Sequence, residues 1–195
     1  MNVSMVEDFS FQMDRLGDTD IPNRKTDREA TSELLAHPET DASNVTLLPP
    51  PPATRIRLAL EQLEGFEPVE DQFRHWGIKF INAIALQPSN PRFSIEPGVT
   101  VLMGAPKGGT LEVSFTHPVR QVVARVTSPH TTMLSACDRD GTLIAQDEMA
   151  VSKSGDSLSS ILPSRELRVR SKNIYKVTFY TFDAQLIVDR LQVEF

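Results

Sequence analysis

The chain has 195 residues, enough for one domain with a sizeable core, and its 39% apolar and 24% charged residues are ordinary for a globular protein. The net charge is −6, and the first 54 residues hold all of it, with 4 Lys+Arg against 10 Asp+Glu; the remainder balances at 16 of each. No segment carries the basic excess that a phosphate backbone requires, so nucleic acid is excluded as an expected partner. One cysteine, Cys137, excludes an internal disulfide. No apolar run approaches the ~20 residues of a membrane-spanning helix. The acidic start, MNVSMVEDFSFQMD, lacks the basic-then-apolar order of an export signal, so the expected location is cytoplasmic.

In chain order, residues 1–54 read as an acidic, proline-rich leader, largely extended or disordered alone and partly helical. Met5, Phe9, Met13 and Leu16 recur at helical spacing. They form the expected partner-binding face, an amphipathic segment suited to a groove on another protein. Thr26 and Glu29 match a capping box, which predicts helix over Asp27–Ala36. The run Pro49-Pro50-Pro51-Pro52 is a stiff extended spacer, and the domain boundary is placed after it.

Residues 55–195 read as strands. Arg55–Glu64 is the expected first strand, with a short helix as competitor. Gly65–Gly77 is a loop holding Phe66, Phe73, His75 and the only tryptophan, Trp76. Ile78–Leu86 is a strand, Gln87–Gly98 a loop, and Val99–Met103 a short strand. Leu111–Gln146 is the clearest stretch and predicts four short strands. Leu111, Val113 and Phe115 alternate. His117-Pro118 is expected to break the ladder because proline has no N–H to give. Val122, Ala124 and Val126 follow, then Leu134 and Ala136. Asp140-Gly141 marks a hairpin, since glycine takes the positive φ of a tight turn. Short strands are expected at Leu167–Val169, at Ile174–Thr181 and over Gln185–Phe195. In the last, Leu186 and Val188 alternate in one phase and Leu191, Val193 and Phe195 in the other. A β-bulge near Asp189-Arg190 restores one inward face. The expected fold is all-β, a two-sheet antiparallel sandwich of about nine strands.

From about Leu60 onward the layout resembles a bacterial jelly-roll β-sandwich found in many exported or anchored proteins, similar in fold to carbohydrate-binding modules and galactose-binding-like domains. The matching residues are Leu63-Glu64-Gly65-Phe66, Leu111-x-Val-x-Phe115 with Pro118-Val119, Leu134-x-Ala-x-Asp138 with Gly141 and Leu143, Ile174-x-x-Val-x-Phe179, and Leu186-Ile-Val-Asp189-Arg190-Leu191. These are mostly core and turn residues, so they speak for fold before function. The resemblance also implies a structural calcium through Glu64 and Asp189. Arg190, standing where such domains often carry a second aspartate, argues against it.

The search for chemistry returns little. GAPKGG lacks the Lys-Ser/Thr ending of a phosphate loop. Asp138-Arg139-Asp140-Gly141 lacks the glutamate of a calcium loop, because Met149 holds that position. His37, His75, His117 and His130 show no metal spacing. No catalytic residue, metal or cofactor is expected, and the chain is not expected to be an enzyme. Two functions lead, beside a third class, a hydrolase on a sandwich scaffold, for which the sequence nominates no residue. The first is a non-catalytic protein-interaction or assembly subunit, a rigid sandwich tethered to a larger complex through residues 1–54. The alternative is a carbohydrate-binding module, with Trp76 as aromatic platform and Arg74, Asn90 and Arg92 as polar neighbours. A lone tryptophan is highly buried on average, so Trp76 is also read as a plug for the end of the sandwich.

Overall fold

A computed structural model describes residues 33–39, 54–104, 109–151, 161–182 and 185–195. They belong to one compact unit spanning Thr31–Phe195. The described residues form eleven strands in one hydrogen-bonded network. The strands are β1 (Glu33–Ala36), β2 (Arg55–Leu58), β3 (Pro68–Val69), β4 (Ile78–Ile81), β5 (Ala83–Leu86), β6 (Val101–Gly104), β7 (Thr110–Thr127), β8 (Thr132–Cys137), β9 (Leu143–Met149), β10 (Ser164–Thr181) and β11 (Ile187–Glu194). The all-β, antiparallel character expected from alternation is what the chain adopts; only β1 and β2 run parallel.

Two strands organise the rest. β7 and β10 each span 18 residues, about 60 Å if straight at ~3.3 Å per residue. They pair with each other along both halves, with register shifts between Arg170 and Ile174 and between Ile174 and Lys176. The first half of β7 pairs β4 on one side and the second half of β10 on the other; β10 then pairs β8, and β8 pairs β9. This is the first layer. The second half of β7 lies between β11 and the first half of β10. The far edge of β11 is shared, Ile187 and Val188 pairing β6 and Gln192–Glu194 pairing β2. This is the second layer, with β1 outside β2 and β5 and β3 outside β6.

One apolar cluster fills the space between the layers. Leu111, Val113, Phe115, Leu134, Val177 and Phe179 enter from the first layer, and Ile56, Leu58, Val122, Ala124, Leu167 and Leu191 from the second; all are buried. Burial of this order, at roughly 25 cal/mol per Å² of apolar surface, is the main force holding the layers together. The outer strand of the first layer is also clasped to the second. The Asp147 carboxylate on β9 accepts the Arg168 N–H at 2.8 Å, and Arg165 donates to the Glu148 carbonyl.

Several sequence expectations are corrected. Leu111–Gln146 holds three strands, because β7 runs through His117-Pro118. Residues 115–118 have no partner on β10, so Pro118 falls where the strand bends and leaves no ladder bond unmade. The two expected strands at Leu167–Val169 and Ile174–Thr181 are one, β10. Ile78–Leu86 is two strands, divided at Asn82, whose φ of 62 ends the first. The first strand stops at Leu58, and Leu60–Gln62 forms a 3-10 turn. Of the helix expected over Asp27–Ala36, the described part is the strand β1. The bulge near Asp189-Arg190 is present, as a register shift between Val188 and Arg190. The face expected on Met5, Phe9, Met13 and Leu16 lies outside the described residues.

Candidate ligand-binding face

The sequence Lys176-Val-Thr-Phe-Tyr-Thr-Phe182 crosses the middle of the first layer. Alternation sends Val177, Phe179 and Thr181 into the core and leaves Tyr180 and Phe182 outside. Tyr180 is 40% and Phe182 72% exposed. Tyr180 stands at the end of β10 and Phe182 just past it. Ladder register sets the neighbours of Tyr180. Thr110 and Met133 flank Tyr180, with Glu148 beyond. One row on, Ile81, Glu112, Thr178, Ser135 and Gln146 line up across β4, β7, β10, β8 and β9. Lys176 pairs with Glu112 at 3.3 Å on the same face.

The backbone under the aromatic pair is fixed. The Thr181 hydroxyl donates to the Thr131 carbonyl at 3.2 Å, and its amide donates to the Gly109 carbonyl at 2.8 Å. His130 Nδ1 lies 3.0 Å from the Phe182 carbonyl. The arrangement is an open, rigid sheet face with adjacent rings and hydroxyl, amide and carboxylate groups in register. The sequence expectation centred on the lone tryptophan instead. The signal was the alternation itself, which sends Phe179 in and Tyr180 out.

The four residues expected around Trp76 are not brought together. Arg74, His75 and Trp76 form a 3-10 turn ahead of β4, beside Phe115 in the ladder. Asn90 Oδ1 caps the turn that holds Arg92, and the Arg92 carbonyl accepts from Leu162, next to the start of β10 opposite Thr127. No hydrogen bond, ion pair or ring contact joins the two groups among the described residues. Trp76 is half-buried and packs on the core, its Nε1 buried without a hydrogen-bond partner. Its ring lies 5.3 Å from that of His75.

His75 Nδ1 is buried without a hydrogen-bond partner and stands 3.5 Å from the Glu39 carboxylate. Desolvation lowers its pKa below the ordinary 6.5; Glu39 pulls the other way and His37 adds to the lowering. In the window just under 6.5 the unfolded chain therefore binds the proton first. The contribution of this group to stability is intact above that window and falls as the pH drops through it. An NMR titration of His75 is expected to give a midpoint below 6.5, and a midpoint above it would show that the Glu39 contact dominates.

Both Asp189 oxygens accept from Arg125, at 2.7 and 2.9 Å. Glu64 is exposed. Among the described residues no group of three or more His, Cys, Asp or Glu side chains is placed to share a metal ion, and no helix is long and apolar enough to cross a membrane.

No protein-family profile matches the chain, and no curated protein does. Similar solved structures include a variant of the family 29 carbohydrate-binding module CBM29-2 complexed with cellulohexaose. It aligns at 7% identity and a TM-score of 0.41 over 71% of this chain and 89% of the module. The K2 cleaved adhesin domain of Lys-gingipain aligns at 9% identity and a TM-score of 0.38 over 61% of this chain and 89% of that domain. An arabinose-bound GH51 α-L-arabinofuranosidase aligns at 10% identity and a TM-score of 0.41, over 69% of this chain but only 25% of the enzyme. At these identities and scores no ligand and no activity transfers.

Proposed function

We propose that the chain is a non-catalytic carbohydrate-binding module whose ligand, a neutral oligosaccharide, lies along β10 on the outer face of the first layer. The observation that supports this is the exposed pair Tyr180, at the end of β10, and Phe182, just past it, with Thr178, Glu112 and Ser135 in the row next to Tyr180. A pyranose has an apolar C–H face and a polar rim, and the pairing of ring with hydroxyl and carboxylate suits both. The test is calorimetry of the full chain against a panel of neutral hexasaccharides. Binding by at least one, weakened tenfold or more in Tyr180→Ala/Phe182→Ala with the melting temperature nearly unchanged, is the expected result. Undiminished affinity in that variant would sink the assignment.

A second reading, an assembly subunit joined through its N-terminal segment, is favoured by a different observation. Strand β1 comes from that segment and stands at a sheet edge with Leu34 and Leu35 exposed at 40% and 38%. Exposed apolar edge strands are templates for further pairing. If this reading holds, Leu34→Asp/Leu35→Asp abolishes recovery of a defined complex from native lysate while leaving oligosaccharide binding untouched.

A further inference from the structure

The outer face of the second layer differs in kind from that of the first. Register places Arg55, Glu194, Gln121 and Arg170 in one row across β2, β11, β7 and β10, and Arg57, Gln192, Val123 and Arg168 in the next. Arg190, Arg125 and Glu166 make a third. Six arginines thus share one face of a chain whose net charge is −6, and no lysine occupies these rows. Val123 is 5% exposed although it points away from the core; long arginine stems laid over a sheet cover apolar surface in this way.

Four of the six are engaged. Arg55 pairs with Glu194, Arg57 with Glu61, Arg125 with Asp189 and Arg168 with Glu166. Arg170 and Arg190 are exposed and have no carboxylate partner among the described residues. Arg190 moreover lies directly across the ladder from Arg125. Asp189 neutralises Arg125 at 2.6 Å, which leaves Arg190 as the cation without a carboxylate partner in that row. Diagonally, Arg190 and Arg170 are two strands and four residues apart, which is ~16 Å. Half-buried Gln192 and buried Gln121 sit between them, the Gln192 amide donating to Glu33 at 3.2 Å.

We propose that this face binds an acidic polysaccharide, the guanidinium groups of Arg170 and Arg190 taking carboxylates of separate sugar units. Guanidinium forks match carboxylates in two-point geometry. A chain with one carboxylate per sugar unit is charged less densely than a duplex with one charge per ~1.7 Å, and suits two free arginines ~16 Å apart. Nucleic acid suits the face less. Its charges are dense, Glu194 and Glu166 repel them, and these rows hold no aromatic ring for base stacking.

The inference stands apart from the neutral-sugar reading of the opposite face, and its test separates the two. The full chain is titrated with polygalacturonate, with uncharged dextran and with duplex DNA at low and at moderate salt. Polygalacturonate is expected to bind at low salt and to weaken as salt rises, with a tenfold or greater loss in Arg170→Ala/Arg190→Ala. Tyr180→Ala/Phe182→Ala should leave this binding unchanged. The variant lacking both arginines should melt near the parent temperature, since both side chains are exposed and carry no ion pair among the described residues, so a failure to fold is not the expected cause of lost binding. No binding of polygalacturonate at low salt, equal binding by the arginine variant, equal binding of dextran, or tighter binding of DNA would each overturn the proposal.

Discussion

Phe179→Ala is expected to lower the unfolding free energy by about 3–5 kcal/mol, because it removes a large buried ring and leaves a cavity that the sheet cannot close. Phe179 is 0% exposed. It lies between Leu111 on β7 and Leu134 on β8, both also buried, in the middle of the first layer. Tyr180→Ala, one residue on, provides the contrast. Its ring faces out, and its loss should cost below about 1 kcal/mol, the usual scale of a surface change. Urea unfolding checks both, with midpoints shifting at constant slope. A loss below about 1 kcal/mol at Phe179 would mean that the strand faces the other way.

Gly109→Ala should be the most damaging single-methyl addition. Gly109 has φ +59, and a Cβ there would stand 2.1 Å from the Thr181 carbonyl oxygen. That oxygen belongs to backbone, and the Thr181 amide is itself held by the Gly109 carbonyl at 2.8 Å. The methyl group therefore forces the two segments apart, and the expected cost is about 2 kcal/mol or more. Gly141→Ala is the control. Gly141 has φ +83 but open space around its Cβ position, so only the backbone cost of about 1 kcal/mol remains. Thermal melts should show about 4–8 °C or more at Gly109 and about 2–4 °C at Gly141. Equal shifts would show that the close approach to Thr181 is relieved without strain.

Local rules served the sequence reading where the deciding interactions were local. The phase reversal from Val188 to Leu191 revealed the bulge at Asp189, because period-2 alternation has no other way to keep both ends facing one core. Asp140-Gly141 gave the hairpin between β8 and β9: Gly141 supplies φ +83, and the structure adds the Asp138 carboxylate, which accepts from the amides of Asp140 and Thr142. The same rules misled at Pro118, since nothing local says that the strand bends there and leaves its neighbours unpaired on the β10 side. They misled at Glu33–Ala36 as well. Glu-Leu-Leu-Ala is a good helix sequence, but pairing with Arg55–Leu58 overrides that weak preference.

The candidate sites were less legible, for a reason of the same kind. Tyr180 was readable as outward-facing, but its neighbours Met133 and Glu112 come from strands far away in sequence. The balanced charge of residues 55–195 hid the arginine rows altogether. Arg55, Arg125, Arg170 and Arg190 share a face only through the registers of β2, β7, β10 and β11, and a count of charges carries no register.

The continuity of β7 and β10 through both layers bears on how the molecule comes apart. In a sandwich of two independent sheets, one sheet can fray while the other persists. Here β7 and β10, paired with each other in both layers, run unbroken from one layer into the other. Opening either layer releases half of each strand and deprives the other layer of its anchor. The closure cost of joining β7 to β10, distant in sequence, is also met once for both layers. Slow-exchanging amides in β8 and in β11, although they belong to different layers, are thus set to open with one common free energy, that of global unfolding.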